Sequence, residues 1–282
     1  METYKAQGEI QLSKIATKEV YSDAKQKLKK LRKKLSKLQD TMYAEGKYAS
    51  LICFQGMDTA GKDSLIREVF KDINARGVMV HSFKVPTKKE LSHDYLWRHY
   101  VVLPPKGKIA IFNRTHYENV LVTRVHPYYI FAENIPEVKS LDDLNDAFYD
   151  QRMKDINEFE ERMARNGTII MKFFLNISKD EQKHRLLRRL NLKEKNWKFS
   201  EDDLKERKLW DTYQKCYEDV LSKTSTEVAP WYIIPSDDKL TARVIVATII
   251  KDTFKRCNFQ IPELPEKYQL RIDEYKNELE SE

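Results

Sequence analysis

A glycine-rich loop with three charged residues follows the first apolar stretch of the chain, Ser50–Gln55. Residues 56–64 read Gly-Met-Asp-Thr-Ala-Gly-Lys-Asp-Ser, and a helical pattern comes next. Strand, Gly-x-x-x-x-Gly-Lys and helix in this order are the context of a phosphate-binding P-loop. The glycines let backbone N–H groups approach phosphate oxygens, and the helix adds its positive dipole end. The predicted phosphate-binding residues are Gly56, Ala60, Gly61, Lys62, Asp63, Ser64 and Arg67.

Two carboxylates distinguish this loop from that of an ordinary nucleoside triphosphatase. The residue after Lys62, usually a Ser or Thr that ligates a metal, is Asp63, and Asp58 lies inside the loop. Carboxylates beside phosphate need a cation to neutralise them. We therefore predict that Asp58 is a metal ligand and a catalytic carboxylate. Two interpretations of Asp63 remain, a metal ligand and a favourable charge at the helix N-terminus.

Polar residues also end the third apolar stretch, Lys108–Phe112. Strand ends of this kind carry a metal-binding carboxylate in P-loop enzymes, but here the position holds Asn113. An amide oxygen can enter a metal shell, yet it brings no charge and takes no proton. Arg114 follows and can clamp phosphate through two hydrogen bonds. The alternative for Arg114 is an ion pair with Glu118, one helical turn later.

A basic helical pattern in the second half of the chain is typical of a lid. Arg185, Arg188 and Arg189 recur at helical spacing, and the polar, Lys-rich stretch Asn191–Lys198 follows. Mobile lids that carry arginines exclude water and bring positive charge to a phosphoryl transition state. We predict a lid over about residues 183–200. A solvated basic helix is the alternative interpretation.

The elements that must position these residues alternate between strand and helix patterns. Five stretches are almost continuously apolar, which is typical of parallel strands covered on both faces: Ser50–Gln55, Val78–Val85, Lys108–Phe112, Thr168–Ile177 and Trp231–Ile234. The helical patterns between them are Lys62–Arg76, Lys88–Tyr100, Tyr117–Val125, Leu141–Arg165, Lys179–Leu192, Glu201–Lys223 and Lys239–Arg256. This alternation predicts an α/β fold, with a doubly wound parallel sheet of five strands between helices.

Both ends of the chain are predicted to add helical extensions to a single domain over residues 1–282. Residues 1–48 are basic, and Leu28, Leu31, Leu35 and Leu38 recur on one helical face. Residues 258–282 form the predicted C-terminal helical tail, in which residues 263–282 carry an acidic helical pattern.

Composition restricts the class of protein further. The 282 residues include 51 Lys and Arg against 44 Asp and Glu, a formal net charge of +7. This excess permits nucleic acid, anionic lipid or a phosphate polymer as partner. Cys53, Cys216 and Cys257 form no CxxC motif and favour a reducing compartment. Without an apolar leader or a run of ~18 apolar residues, we expect a soluble, cytoplasmic protein with no membrane partner.

Taken together, these motifs resemble polyphosphate kinase family 2. The similarity covers about residues 15–256, and the stretches that carry it are Gly56–Asp63, His93–Arg98, Phe112–Val122, Ile177–Gln182, Trp197–Ser200 and Ala229–Tyr232. The resemblance implies a P-loop kinase fold similar to thymidylate kinases. It also implies Mg²⁺-dependent transfer of a terminal phosphoryl group between inorganic polyphosphate and a nucleotide. Asp58, Lys62 and Arg114 would be the catalytic residues, with Asn113 and Glu118 near the nucleotide and metal.

Within that family, Met57–Thr59 and Asn113 resemble the class III subgroup, which accepts nucleoside mono- and diphosphates. Other subgroups usually carry Asp at the position of Asn113. The resemblance thus implies reversible conversion of AMP to ADP and of ADP to ATP. Adenine nucleotides are the expected partners, with guanine nucleotides as an alternative, and the expected assembly is a homo-oligomer, a dimer or a tetramer.

Two other functions are compatible with a P-loop. A nucleoside monophosphate kinase that uses ATP would need the same loop, arginines and lid, but a closed nucleoside pocket instead of an open basic groove. Asp58 and the net charge favour the polymer. A nucleic-acid-binding ATPase would use the basic residues on a phosphate backbone. Because residues 25–37 contain no interleaved aromatics and no nucleic-acid-binding signature occurs, we expect no nucleic-acid partner.

Overall fold

Five parallel strands form one sheet in the computed structural model, which describes residues 2–197 and 199–282. Lys198, part of the predicted lid, lies outside the described residues, and only the backbone of Lys195 is described. The strands are β1 (Ala49–Gln55), β2 (Val78–Ser82), β3 (Ile109–Asn113), β4 (Thr168–Asn176) and β5 (Trp231–Pro235). Their order is β2-β3-β1-β4-β5, and every neighbouring pair is parallel. The predicted parallel five-stranded sheet is confirmed.

Helices of very different length connect and flank the strands. They are α1 (Ala24–Glu45), α2 (Lys62–Val69), α3 (Lys88–Leu91), α4 (Trp97–Tyr100), α5 (Glu118–Val125), α6 (Asp146–Arg165), α7 (Lys179–Asn191), α8 (Lys193–Asn196), α9 (Glu201–Lys208), α10 (Trp210–Thr224), α11 (Lys239–Arg256), α12 (Glu266–Gln269) and α13 (Ile272–Glu280). Short 3₁₀ segments lie at Glu2–Tyr4, Leu12–Lys14, Ala75–Gly77, Pro127–Glu133 and Leu141–Asp143.

Apart from the partly exposed edge strand β2, the sheet is buried on both faces, which explains its continuous apolar strands. In β1, Ile52 and Phe54 belong to a cluster with apolar residues of α1, α2 and α11. Leu51 and Cys53 point to the opposite face and belong to a second cluster with Phe159 of α6. Since successive strand residues alternate between faces, both halves of the alternation must be apolar here. Within the described residues, no helix is long and apolar enough to span a bilayer.

The N-terminal extension differs from the predicted helix over residues 1–48. Only α1 is a long helix, and the segment before it contains two short 3₁₀ turns and an isolated β-bridge between Lys5 and Tyr232. Ala6 donates its backbone N–H to Trp231 O at 2.9 Å, and Leu12 donates to Glu218 Oε1 at 2.7 Å. The leucine periodicity that predicts a helix begins only at Leu28. The residues well before it lack this pattern, and they contact β5 and α10 instead of forming a long helix.

Several predicted helices are interrupted by side chains that bond to the backbone. The pattern Lys88–Tyr100 is divided into α3 and α4 because Asp94 Oδ1 accepts from the N–H of Leu96 at 2.8 Å. α6 begins at Asp146 instead of Leu141, because Asn145 caps its first turn.

Other boundaries were also wrong by several residues. α2 ends at Val69 instead of Arg76, and β2 ends at Ser82 instead of Val85. The predicted helix Glu201–Lys223 is divided at Leu209 into α9 and α10, and the acidic C-terminal pattern is divided into α12 and α13. These breaks leave the order of strands and helices as predicted.

A fully buried ionic network lies behind the end of β3. Lys172 of β4 donates Nζ to Glu160 Oε2 at 2.5 Å and to the Tyr117 hydroxyl at 2.7 Å. His116 Nε2 lies 2.9 Å from Glu160 Oε1. Burial opposes ionisation of Glu160, but the charge of Lys172 and the bond to His116 outweigh it and lower the pKa of that carboxyl. Because His116 and Tyr117 follow Arg114 closely, the network fixes the segment between β3 and α5.

Candidate active site

The P-loop runs from the end of β1 to α2 with a backbone that needs its glycines. Gly56 has a φ of 151°, and a Cβ there would lie 3.0 Å from Leu175 O and 3.1 Å from Leu175 Cβ. Gly61 has a φ of 106° and caps α2. Any larger residue at either position would be strained. The motif therefore forms the strand–loop–helix geometry that its sequence predicts.

Lys62, the first residue of α2, extends its side chain across the loop. Nζ donates to Gly56 O at 2.6 Å and to Met57 O at 3.3 Å, which uses two of the three ammonium N–H groups. Burial and the charge of Arg114 lower the pKa of Lys62, while Asp58 opposes the shift. The ammonium is thus held at the loop, where it can donate to phosphate.

The end of β3 lies beside the loop because β1 and β3 are neighbours in the sheet. Their register pairs Phe54 with Asn113, and the Arg114 N–H donates to Phe54 O at 3.3 Å. Arg114 has a φ of 58°, in the left-handed region. Its Nη2 lies 3.2 Å from Asp58 Oδ1, and its Nη1 lies 3.9 Å from Glu118 Oε2. The structure therefore brings together all three predicted catalytic residues.

Arg114 is placed between two carboxylates and remains accessible. Its side chain is 47% exposed. Burial lowers the pKa of Arg114, but the carboxylates of Glu118 and Asp58 outweigh burial, so that the pKa of Arg114 is raised. Glu118 is itself held by a hydrogen bond from Gln55 Nε2 at 2.9 Å. The guanidinium is a fixed positive charge at the loop, suited to a phosphoryl group in transfer.

Asn113 connects the strand end to the first turn of α2. Its Nδ2 donates to Asp63 Oδ1 at 2.7 Å and to Ser82 Oγ at 3.3 Å. Its Oδ1 is buried without a hydrogen-bond partner among the described atoms. Asp63 lies in the first turn of α2, where a negative charge suits the helix dipole.

The side chains present suit a metal that is held partly by substrate. In residues 2–197 and 199–282, no group of three or more His, Cys, Asp or Glu residues could hold a metal ion alone. Mg²⁺ is usually held by one or two carboxylates together with substrate phosphates and water. Asp58, with its side chain 31% exposed in the loop, and the unpartnered buried Oδ1 of Asn113 fit that mode.

The predicted lid arginines have three different surroundings. Arg185, with a side chain 6% exposed, donates Nη1 to Ala60 O at 2.7 Å and Nη2 to Ser236 O at 2.6 Å. These contacts differ from those expected of a mobile lid residue, because the guanidinium is buried against the backbone of the P-loop. Arg189 pairs with Asp203 of α9 at 2.7 Å, and Arg188 is exposed.

Two other predicted phosphate-binding residues lie on α2. Ser64 Oγ donates to Gly61 O at 3.0 Å, within the first turn. Arg67 lies five residues after Lys62, has a 73% exposed side chain and contacts Glu68 at 3.2 Å. The structure therefore places Ser64 at the loop and Arg67 on the outer part of the helix.

Gln182 and Arg207 also contact the site, although neither was among the predicted site residues. Gln182 Nε2 donates to the backbone carbonyl of Asp58 at 3.1 Å, and Arg207 of α9 donates to Gln182 Oε1 at 2.6 Å. A contact chain therefore runs from α9 through α7 to the residue predicted to ligate metal. Gln182 and Arg185 are three positions apart, so the sequence predicts that they lie on one face of a helix. It does not show which residues they contact.

Arg98, which was not among the predicted site residues, is a cation with a largely buried side chain. Its side chain is 11% exposed, with Nε 3.3 Å from Glu90 Oε1 and the guanidinium over the Phe83 ring. Burial lowers the pKa of Arg98, whereas Glu90 and Glu118 oppose the shift.

Replacing Arg185 by lysine is expected to lower both stability and kcat. Lysine keeps the charge but cannot make the planar set of bonds to the carbonyls of Ala60 and Ser236. We expect a loss of about 1.5–3 kcal/mol in unfolding free energy, typical of hydrogen bonds to charged groups, and a severalfold lower kcat. Chemical denaturation and initial rates measure both. Arg165→Lys, at the exposed end of α6, is the matched control; equal behaviour of the two variants would contradict the role of Arg185.

The family model for "Polyphosphate kinase 2 (PPK2)" matches residues 18–262. A curated relative from Rhodopseudomonas palustris, named ADP-polyphosphate phosphotransferase, is 46% identical over 230 residues, 82% of this chain and 78% of the relative. A second, from Meiothermus ruber, is named AMP/ADP-polyphosphate phosphotransferase. It is 45% identical over 233 residues, 83% of this chain and 82% of the relative.

Solved structures agree in fold. The crystal structure of polyphosphate kinase 2 from Arthrobacter aurescens TC1 matches with a TM-score of 0.86 and 34% identity, and the match covers 96% of each chain. A putative polyphosphate kinase 2 from Pseudomonas aeruginosa matches with a TM-score of 0.77 and 30% identity, over 87% of this chain and 50% of that chain. The predicted P-loop kinase-like fold is confirmed.

Proposed function

Because the chain belongs to the polyphosphate kinase 2 family, we propose that it transfers the terminal phosphoryl group of inorganic polyphosphate to AMP and to ADP, with Mg²⁺ as the metal. The activity is that of a polyphosphate-dependent nucleotide phosphotransferase. One observation supports it most strongly: the contact of 3.2 Å between Arg114 and Asp58 joins the P-loop to the end of β3. Phosphate held by the loop would thus lie beside a cation that directly follows the neighbouring strand.

Each residue has a separate task in this transfer. The N-terminus of α2 and Lys62 hold the donor phosphates, while Arg114 places positive charge beside the group in transfer. An oxygen of the acceptor phosphate bonds to the terminal phosphorus, and the bond from that phosphorus to the polymer oxygen breaks. Bound Mg²⁺, held by Asp58 together with substrate phosphates, would neutralise developing negative charge. Arg185 and Gln182 keep the loop in place.

A neutral residue at the strand end suits this acceptor. The attacking oxygen belongs to a phosphate that is already largely ionised near neutral pH, since its second pKa is about 6. No side chain needs to remove a proton from it, and Asn113 can take none. Asn113 also adds no negative charge beside acceptor phosphates. The same site can therefore bind acceptors that carry one or two phosphates.

Incubation with AMP, Mg²⁺ and polyphosphate, without adenylate kinase, is expected to give ADP first and ATP later. Products resolved by ion-exchange chromatography over time provide the measurement, and enzyme carrying Lys62→Ala is the control for contaminating kinases. ADP that accumulates without ATP, or AMP that stays unchanged while ADP reacts, would contradict the use of both acceptors. ADP formed from AMP and ATP at a comparable rate without polyphosphate would favour the ATP-dependent kinase instead.

Homo-oligomerisation stays a prediction, which analytical ultracentrifugation tests.

A further inference from the structure

The turn from Thr115 to Tyr117, between β3 and α5, is fully buried although it lies between two residues of the candidate site. Thr115, His116 and Tyr117 are each 0% exposed. The Tyr117 N–H donates to Thr115 Oγ1 at 3.1 Å, and the Glu118 N–H donates to Thr115 O at 3.0 Å. Arg114 directly precedes this buried turn and Glu118 directly follows it. Any shift of the buried turn would therefore move Arg114 and Glu118 relative to the P-loop.

The backbone of Arg114 needs support from the buried turn. Its φ of 58° lies in the left-handed region, which is unfavourable for a residue with a Cβ and persists only where the surroundings hold it. On one side β3 holds the residue, since the Arg114 N–H donates to Phe54 O of β1 at 3.3 Å. On the other side the buried turn connects it to α5. The conformation that presents the guanidinium to Asp58 therefore depends on what holds His116 and Tyr117.

The carboxylate of Glu160 in α6 holds the buried turn. Its Oε1 lies 2.9 Å from His116 Nε2 and accepts from the Tyr117 hydroxyl at 3.0 Å. Since an ionised carboxylate only accepts hydrogen bonds, His116 must donate through Nε2. Lys172 Nζ donates to Glu160 Oε2 at 2.5 Å and to the Tyr117 hydroxyl at 2.7 Å. The same Nζ donates to Thr224 O at 2.7 Å. The network thus bonds the buried turn to α6, β4 and α10.

This network suits positioning better than stability. The side chains of Glu160 and Lys172 are both 0% exposed, so neither is accessible to substrate or solvent. A buried ion pair is often no more stabilising than apolar side chains of the same volume. It differs from them in direction, because a hydrogen bond fixes where its donor lies, whereas apolar contacts tolerate small shifts. The network therefore selects one position for His116 and Tyr117.

We propose that Glu160 is a positioning residue for phosphoryl transfer, which acts on the reaction through the buried turn and the backbone of Arg114. The proposal rests on the proposed function, in which Arg114 is the cation beside the group in transfer. A displacement of about 1 Å at a reacting group can cost about a hundredfold in rate. A residue that lies behind β3 and bonds to no substrate can therefore control kcat.

Glu160→Gln/Lys172→Met is expected to lower kcat about tenfold to a hundredfold, with little change in KM for polyphosphate. The two changes together leave no unpaired buried charge, so the melting temperature should stay within a few degrees of wild type. KM is spared because the hydrogen bonds of Glu160 and Lys172 do not reach the P-loop, which binds the donor. Initial rates at varied polyphosphate with fixed ADP separate the two constants.

Tyr117→Phe is a milder variant that carries the test if the double variant does not fold. It removes one hydroxyl from the network and keeps the ring that packs on Trp231, with centroids 4.9 Å apart. Glu160 keeps its bonds to Lys172 and His116. We expect a severalfold lower kcat and again little change in KM for polyphosphate.

Arg114→Ala makes the test specific to positioning. In that background the guanidinium is gone, so neither Glu160→Gln/Lys172→Met nor Tyr117→Phe should cause a further loss of kcat. A network that only stabilised the fold would reduce kcat by the same factor in both backgrounds. Met163→Ala is the matched control, because Met163 lies one turn after Glu160 on α6 and packs against the sheet. It should lower the melting temperature and leave kcat unchanged well below the transition.

Hydrogen exchange followed by mass spectrometry reports on the buried turn without catalysis. The N–H groups of residues 118–120 donate to the carbonyls of residues 115–117, so their exchange measures opening of the turn. In Glu160→Gln/Lys172→Met, a peptide over residues 113–121 should exchange severalfold faster than in wild type. A peptide over residues 56–62, the P-loop, should exchange as in wild type.

Unchanged kcat in a folded double variant, or the same factor lost in the Arg114→Ala background, would overturn the proposal and leave the proposed function intact. Equally faster exchange in the P-loop peptide would also overturn it, since that result indicates general loosening. Failure of the proposed function has its own sign: the wild-type enzyme would transfer no phosphate from polyphosphate. Hydrogen exchange would still show in that case whether Glu160 holds the buried turn.

Discussion

Replacing Lys62 by alanine is expected to lower kcat about 10³-fold with little change in melting temperature. Loss of one preorganised charge at a transition state typically has an effect of this size. Lys62 Nζ is held by the carbonyls of Gly56 and Met57 in the loop, and its charge acts where charge moves from donor to acceptor. Luciferase-coupled ATP formation from ADP and polyphosphate measures the rate.

A second variant and a control make this test specific. Lys62→Met keeps most of the side-chain length and should lose as much activity, because the charge and not the stem is required. Lys71→Ala removes an exposed lysine shortly after α2 and should match wild type. A kcat for Lys62→Ala within tenfold of wild type, with the fold intact, would remove the P-loop lysine from the mechanism.

The sheet could be predicted from sequence because burial on both faces leaves a simple signature. Strands β1, β3 and β5 are each buried along their whole length. Apolar residues therefore follow one another in their sequences with little interruption. Helix boundaries carry no comparable signature. The break between α3 and α4 depends on one side-chain bond from Asp94 to the N–H of Leu96, which propensity and periodicity do not report.

The candidate site was predictable where its residues are close in sequence or at neighbouring strand ends. The P-loop is a local motif, and Arg114 comes beside it because β1 and β3 are adjacent. The residues that hold the loop in place act over long sequence distances. Gln182 contacts the Asp58 carbonyl from 124 positions away, and Arg185 contacts the Ala60 carbonyl from 125. Their basic helix is typical of a lid, and only the packing of α7 on the loop distinguishes an anchor from a lid residue.

Replacing Asp58 by asparagine is expected to lower kcat about a hundredfold or more and to raise the Mg²⁺ concentration needed for half-maximal rate. The carboxylate lies inside a phosphate loop, where its charge is compatible with phosphate only with a cation between them. Initial rates at a series of Mg²⁺ concentrations, with polyphosphate and ADP fixed, give both quantities. Asp63→Asn is the matched control, since Asp63 accepts from Asn113 Nδ2 and lies in the first turn of α2.

The same variant separates metal binding from the positioning of Arg114. Asp58 Oδ1 accepts from Arg114 Nη2 at 3.2 Å, and an amide oxygen at position 58 can still accept that bond. If Asp58 served only to hold Arg114, Asp58→Asn would reduce kcat modestly and leave the Mg²⁺ dependence unchanged. A large loss of kcat together with a shifted Mg²⁺ requirement, absent from Asp63→Asn, is the result that a metal ligand demands. The opposite pattern, with a shifted Mg²⁺ requirement in Asp63→Asn alone, would indicate that Asp63 in the first turn of α2 is the metal ligand.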